Sequence, residues 1–145
     1  MPDIRGILAS ETFPVRHPVL RAGKPIDSCR FEGDELATTK HFGLFVKEQL
    51  AGVVSVFKNR SNFSDAEAQY QLRGMAVLSS YQKKGYGEAL LKYAEDYLNS
   101  ENAQIIWFNA RLVAIGFYEK LGYSTVGEPF EIGDIGIHYV MFRKL

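Results

Sequence analysis

Gln82, Lys83, Lys84, Gly85, Tyr86 and Gly87 are the residues whose types and spacing point most directly to chemistry. They join an extended segment to an amphipathic one. The two glycines let the main chain come close to a ligand and adopt dihedrals closed to other residues. The two lysines add positive charge. At a helix start the first N–H groups have no intrahelical partner, and the peptide dipoles add about half a positive charge there. Together these features make a cradle for a phosphate or diphosphate. The same six residues also read as a tight turn with two solvated lysines, and spacing alone leaves the two readings level. Two other phosphate binders are excluded: the spacing is neither G-x-x-x-x-G-K-[ST] nor G-x-G-x-x-G.

A strand must precede this loop and a helix must follow it. Ala68–Leu78 supplies the strand: Gln69, Gln71 and Arg73 alternate with Tyr70, Leu72 and Gly74 at period two. The helix runs from Lys84 or Gly85 to about Asn99, with Leu90, Leu91, Ala94, Tyr97 and Leu98 on one face and Glu88, Lys92, Glu95 and Asp96 on the other. Upstream, Asp3–Ala9 reads as a strand and Ser10–Arg21 as a short helix interrupted by Pro14 and Pro18. Ala22–Thr39 reads as a surface connection. His41–Lys47 and Gly52–Asn59 form an antiparallel hairpin turning at Glu48–Ala51. Downstream, the apolar run Gln104–Phe108 fits a strand buried on both faces, and Ala110–Leu121 a helix stopped by Gly122. Tyr123–Val126 and Gly136–Arg143 complete the strands. The expected fold is mixed α/β, a mostly antiparallel sheet of six to seven strands flanked by helices, in one domain over residues 1–145.

Composition narrows the function classes. The chain has 145 residues, 46% of them hydrophobic, which suffices for a core. Ten Phe and eight Tyr supply large side chains for it. Lys plus Arg equals Asp plus Glu at 17 each, so no whole-domain attraction to nucleic acid or to an anionic membrane is expected. Any anion site must be local. Cys29 is the single cysteine, which rules out an internal disulfide and a C-x-x-C metal site and suits a small buried hydrophobe. No metal is expected. Nothing reads as a signal peptide or a transmembrane helix, so the cytoplasm is the expected compartment.

The run Gln82–Gly87 resembles the Q/R-x-x-G-x-G/A signature of the Gcn5-related N-acetyltransferases, the GNAT superfamily. Met75-Ala76-Val77 is similar to that family's strand before the loop. Downstream, Asn109-Ala110-Arg111, Ala114 and Phe117-Tyr118-Glu119-Lys120-Leu121-Gly122-Tyr123 resemble the family's "A…FYeklGF" segment, and the likeness continues through His138–Met141. The two motifs stand in the right order with a strand between them. The whole resembles small bacterial members of the ElaA-like type.

The resemblance implies an acyltransferase that moves an acetyl group from acetyl-coenzyme A to an amine of a small molecule or peptide. Met75, Ala76 and Val77 would border the pantetheine arm, and the amides of Lys83–Gly87, with Gln82, Lys84 and Tyr86, would hold the diphosphate. Tyr118 matches the tyrosine that protonates the departing thiolate in many members. A thiol has a pKa of about 8.5, so its thiolate benefits from a nearby donor. As sequence alone, Tyr118 reads better as a core aromatic beside Phe117; the motif around it is what favours the catalytic role. Where many members carry asparagine three residues before the alanine, this chain has Arg111, with Asn109 two residues earlier. Arg111 is then implied to bind a cofactor phosphate or a substrate carboxylate, although a surface residue needs no such role.

An attacking amine with a pKa of about 10.4 needs a general base. Glu67, His41 and His138 are the candidates, and each also has an ordinary structural or solvated role. By resemblance, Ser10–Thr39 and Gly127–Gly136 would shape the acceptor pocket. Glu128, Glu131 and Asp134 make the second segment acidic, which suits a cationic amine as well as plain solvation. The family often forms dimers, so a homodimer is an expectation. A non-catalytic acyl-CoA-binding sensor or scaffold is the alternative, and Tyr118 favours the enzyme.

Overall fold

In the computed structural model, which describes residues 2–145, β-rich segments outnumber helices. The elements run β1 (Asp3–Ile7), α1 (Phe13–Leu20), β2 (Lys40–Val46), β3 (Gln49–Lys58), β4 (Gln69–Val77), α2 (Tyr86–Ser100), β5 (Ile105–Arg111), α3 (Ile115–Lys120), β6 (Ser124–Ile132) and β7 (Gly136–Lys144). Short 3₁₀ turns precede α1 and α3. The strands hydrogen-bond in the order β1-β2-β3-β4-β5-β7-β6, a seven-stranded sheet. The β1–β2, β2–β3, β5–β7 and β6–β7 pairs are antiparallel, and β4–β5 is parallel. The expected mixed, mostly antiparallel sheet with helices is therefore what forms. By contacts the chain divides into two compact units, Met1–Lys58 with Leu72–Tyr97, and Asn59–Gln71 with Leu98–Leu145.

In the first unit, β2 and β3 meet at a two-residue turn, Lys47–Glu48. Both residues have positive φ, 49° and 66°, as a hairpin turn matched to the strand twist requires. The turn is thus shorter than the Glu48–Ala51 expected, and β3 starts three residues earlier. Val15, Val53 and Ala76 form the centre of an apolar cluster that Ile7, Val19, Leu20, Leu50 and Leu78 surround. Leu90, Leu91 and Ala94 of α2 are buried as the helical spacing required, and Tyr93 and Tyr97 set their rings edge-on to Phe42. Glu95, expected on the wet face, is also buried. Ala22–Thr39 is no mere surface connection. It carries Cys29, Phe31, Asp34 and Thr39 into the interior, anchored by a 3₁₀ turn at Ile26–Cys29.

In the second unit, β4 begins parallel to β5, pairing Gln69, Tyr70 and Gln71 with Ile105, Ile106 and Trp107. The period-two pattern holds, but the polar side is not the wet side. Gln69 is fully buried: its Oε1 accepts from the amide and hydroxyl of Ser61, and its Nε2 donates to the carbonyls of Ser64 and Ala66. A buried amide group is tolerated because every polar atom is satisfied. Ile105–Phe108 is buried, as the apolar run required. β5 then continues to Arg111, where a helix from Ala110 was expected, and α3 is only six residues long. Gly122, at φ 95°, ends it in the left-handed conformation that favours glycine. The Gly127–Gly136 segment, read as a loop, is mostly strand. β6 reaches Ile132, with a register shift between Val126 and Phe130, so Glu128 and Glu131 sit on a strand.

Candidate functional site

The loop before α2 has the geometry of an anion cradle. Lys83 (φ 64°) and Gly85 (φ 82°) are left-handed, with Lys84 between them outside that region. Such alternation turns successive N–H groups toward one side, a concavity that anions occupy. Among the described residues, the N–H groups of Lys83, Lys84 and Gly85 meet no protein acceptor. The carbonyl of Gly85 accepts from the Ala89 amide at 3.1 Å, so the fifteen-residue helix begins directly behind the loop and points its N-terminal dipole into it. Gly85 has nothing within 4 Å of where a Cβ would lie, and a Cβ on Gly87 would meet only the Met75 methyl at 4.0 Å. Space for a ligand is therefore left on both glycines. The side chains of Gln82, Lys83 and Lys84 are exposed, and Tyr86 is half-buried.

β4 positions the residues that precede the loop. Met75 and Val77 are half-buried and Ala76 is buried. The Gln82 amide donates to the Val77 carbonyl at 2.9 Å, tying the loop back to the strand end. Gln82 thus acts on the main chain of β4. Gly74 makes a left-handed kink (φ 66°) in mid-strand, and a Cβ there would press on Phe31 at 3.0 Å and on Arg16 Nε at 3.3 Å.

That kink faces a charged cluster beneath it. Arg16, fully buried on α1, donates Nη1 and Nη2 to the two oxygens of Asp34 at 2.7 and 3.2 Å. It also donates to the Cys29 carbonyl and the Ser55 hydroxyl. His41 closes the network: Nδ1 meets Ser55 Oγ at 2.6 Å and Nε2 meets the Asp34 carbonyl at 2.9 Å. A carbonyl only accepts, so Nε2 carries the proton and, in the neutral ring, Nδ1 accepts from Ser55. Both ring nitrogens are thereby engaged, which leaves His41 no lone pair for an amine. Burial pushes the Cys29 thiol up from its ordinary value, consistent with a packing role. Arg16, Phe31, Asp34 and Ser55 were not read from the sequence. They stand 3 to 39 positions apart with no periodicity to link them, and only the fold assembles them.

The remaining expected residues belong to the second unit. Tyr118 on α3 packs its ring against Phe108 at 4.4 Å between centroids, Phe117 at 5.1 Å and Tyr123 at 6.2 Å. Its hydroxyl has no hydrogen-bond partner among the described residues. Burial raises its pKa to about 12. A tyrosine held this way stays protonated across the physiological range. Asn109 and Arg111 are exposed and flank buried Ala110 on β5, opposite Val140 and His138 of β7. His138 is buried, with Nδ1 against the Gly136 carbonyl at 2.9 Å. Glu67 is exposed. Among the described residues, no group of three His, Cys, Asp or Glu is placed to hold a metal, and no helix is long and apolar enough to cross a membrane.

The likeness to known proteins covers the full length. Residues 7–123 match the model of the acetyltransferase (GNAT) family. Across 145 residues the chain is 34% identical to an uncharacterised N-acetyltransferase, YitI, of Bacillus subtilis (strain 168), covering all of this chain and 97% of that protein. Escherichia coli ElaA has the same fold, with a TM-score of 0.79 at 16% identity and 99% of each chain covered. An aminoglycoside 6′-N-acetyltransferase complexed with coenzyme A gives a TM-score of 0.77 at 15% identity, with 98% of this chain and 96% of that one covered. The matched span holds β4, the loop before α2 and the Tyr118 segment, and this chain belongs to the GNAT acetyltransferase family.

Proposed function

We propose that this acetyltransferase carries an acetyl group from acetyl-coenzyme A to the amine of a small molecule or peptide, and that it works in the cytoplasm as one domain. The observation that supports this most is the set of unpartnered amides at Lys83, Lys84 and Gly85 in front of α2. They fit a diphosphate. Lys83 and Lys84 add charge, Gln82 fixes the loop to β4, and Tyr86 and Gly87 continue the cradle into the helix. Met75, Ala76 and Val77 border the pantetheine arm. Asn109 and Arg111 are proposed as further cofactor contacts. When bound, the cofactor supplies the acetyl group as an activated thioester.

Each proton has a place in this reading. The amine gives its ammonium proton to solvent and attacks as the neutral base. Its nitrogen lone pair forms the new C–N bond, and the N–H proton then released goes to solvent or to the departing sulfur. The C–S bond breaks and the sulfur leaves with the electron pair. Tyr118 donates to that sulfur. A phenol near 12 is a weaker acid than a free thiol near 8.5, so complete transfer in water would be uphill. Desolvation at the same site raises the thiol too, which narrows the gap, and a hydrogen bond from the phenol stabilises the developing thiolate without full transfer. His41 is excluded as base by its two hydrogen bonds. Titration of the protein with coenzyme A, followed by thiol release from acetyl-coenzyme A across an amine panel, tests this function. Saturable binding with turnover is expected. Binding without turnover on any amine would instead favour the acyl-CoA sensor, and absence of binding would remove the cofactor site.

A further inference from the structure

Within the first unit, three arginines surround one aromatic ring. The guanidinium carbons of Arg16, Arg73 and Arg21 lie 3.9, 4.8 and 5.2 Å from the centroid of Phe31. Their circumstances differ. Arg16 is neutralised by Asp34, whose two oxygens it occupies, although its Nε is buried without a partner. Arg21 gives Nε to the Ser28 carbonyl and Nη1 to the Leu20 carbonyl. Arg73 is half-buried, stacks also on Phe57 at 5.4 Å, and makes no side-chain hydrogen bond or direct ion pair among the described residues, although Asp34 and Glu32 act on it at longer range. Burial first, and the neighbouring Arg16 second, lower its pKa.

A partly desolvated guanidinium whose N–H groups meet no acceptor is costly. Five N–H donors held in a plane by two aromatic rings suit one kind of partner, a planar anion that takes two parallel hydrogen bonds. Asp34 makes no hydrogen bond to Arg73; its oxygens take Arg16 and the Phe31 amide. Arg73 stands two residues before Met75 on β4, just across the Gly74 kink. Arg73 is thus close in the chain to the backbone assigned to the thioester arm.

We propose that Arg73, on the Phe31–Phe57 ring pair and beside Arg16 and Arg21, binds a carboxylate of the acceptor, so that the acceptor is an amino acid or a similar amine that also bears an acid group. This rests on the acetyltransferase reading above. It gives the acceptor a negative handle, whereas Glu128 and Glu131 on β6 had suggested a cationic one.

The test uses product-like ligands. Wild-type protein saturated with coenzyme A is titrated with N-acetylglycine, N-acetyl-β-alanine and N-acetylglutamate, and with their amides, while the Arg73 Nε–H resonance is followed by NMR. At least one acid is expected to shift that resonance saturably, at least tenfold more tightly than its amide. Arg73→Gln is expected to erase the preference and Arg73→Lys to retain part of it, with coenzyme A affinity in both within about threefold of wild type. Acids and amides that behave alike, or no acid that saturates at tens of millimolar, would overturn the proposal. A loss of coenzyme A affinity in Arg73→Gln would overturn it differently, by assigning the arginine to a cofactor phosphate. Coenzyme A that fails to stabilise the wild type at all would remove the acetyltransferase reading as well.

Discussion

Two positively charged regions of the same unit are built on opposite plans. The loop before α2 offers main-chain amides, with lysines that stand in water. The cluster around Phe31 offers guanidinium groups stacked on Phe31 and Phe57, Arg16 fully buried and Arg73 half-buried. Main-chain donors are fixed by local dihedrals and cost little to keep solvated when no ligand is present. Desolvated side-chain charges act more strongly on a neighbour, because less solvent screens them, but they must be neutralised or poised for an anion. Arg16 shows the first outcome and Arg73 the second. The contrast teaches that exposure, more than the number of cations, decides what a substitution does.

The largest effect is expected where charge is most buried. Asp34→Ala leaves Arg16 uncompensated in the interior and should cost about 3–5 kcal/mol of stability, read as a lowered urea midpoint. An unchanged midpoint would erase the difference between the two regions. The same rule extends to desolvated Tyr118 in the other unit. Tyr118→Phe should lower kcat about 100-fold, with the Michaelis constant for acetyl-coenzyme A changed by less than about threefold. A loss below threefold would show that Tyr118 is not the donor. Its ionisation also affects stability. The folded pKa, about 12, lies above the ordinary 10.0, so between those values the unfolded chain has lost a proton that the folded one keeps. The contribution is complete below pH 10 and declines by about 1.4 kcal/mol per pH unit above it. Unfolding free energies measured from pH 9 to 11 should therefore fall more steeply for wild type than for Tyr118→Phe, and parallel curves would contradict the burial.

Smaller effects are expected at the loop. Gly85→Val puts a β-branched residue at φ 82°, costing about 1–2 kcal/mol by backbone strain alone, since no atom lies near its Cβ. Coenzyme A affinity should drop about tenfold in calorimetry, while Gly87→Ala keeps stability near wild type. Equal affinity in Gly85→Val would mean that the loop conformation is not used. Weakest of all, Lys83→Gln with Lys84→Gln should reduce affinity only severalfold at low salt, and the difference from wild type should vanish near 0.5 M salt, because exposed charges are screened. A loss that survives high salt would show that the lysines are desolvated on binding, as the Phe31 cluster already is.

Much of the frame was legible because it rests on local rules. Period-two and helical spacing marked β4, α2 and β5, and the glycine spacing marked a loop that presents its amides. Boundaries were missed where tertiary contacts compete with pattern. β5 ran on through Asn109 and Arg111 because β7 pairs with it there, which shortened α3. Gln69 lies on the polar side of the β4 alternation, yet it is buried because Ser61, Ser64 and Ala66 satisfy its amide. By itself, then, the sequence determined a mixed sheet, the loop at the head of α2 and the motifs that mark the family. Only the tertiary structure decided which polar groups leave water: Arg16 against Asp34, His41 locked between Ser55 and the Asp34 carbonyl, and Arg73 half-buried on two aromatic rings. Desolvation and pairing depend on what distant segments bring together, and neither depends on spacing along the chain.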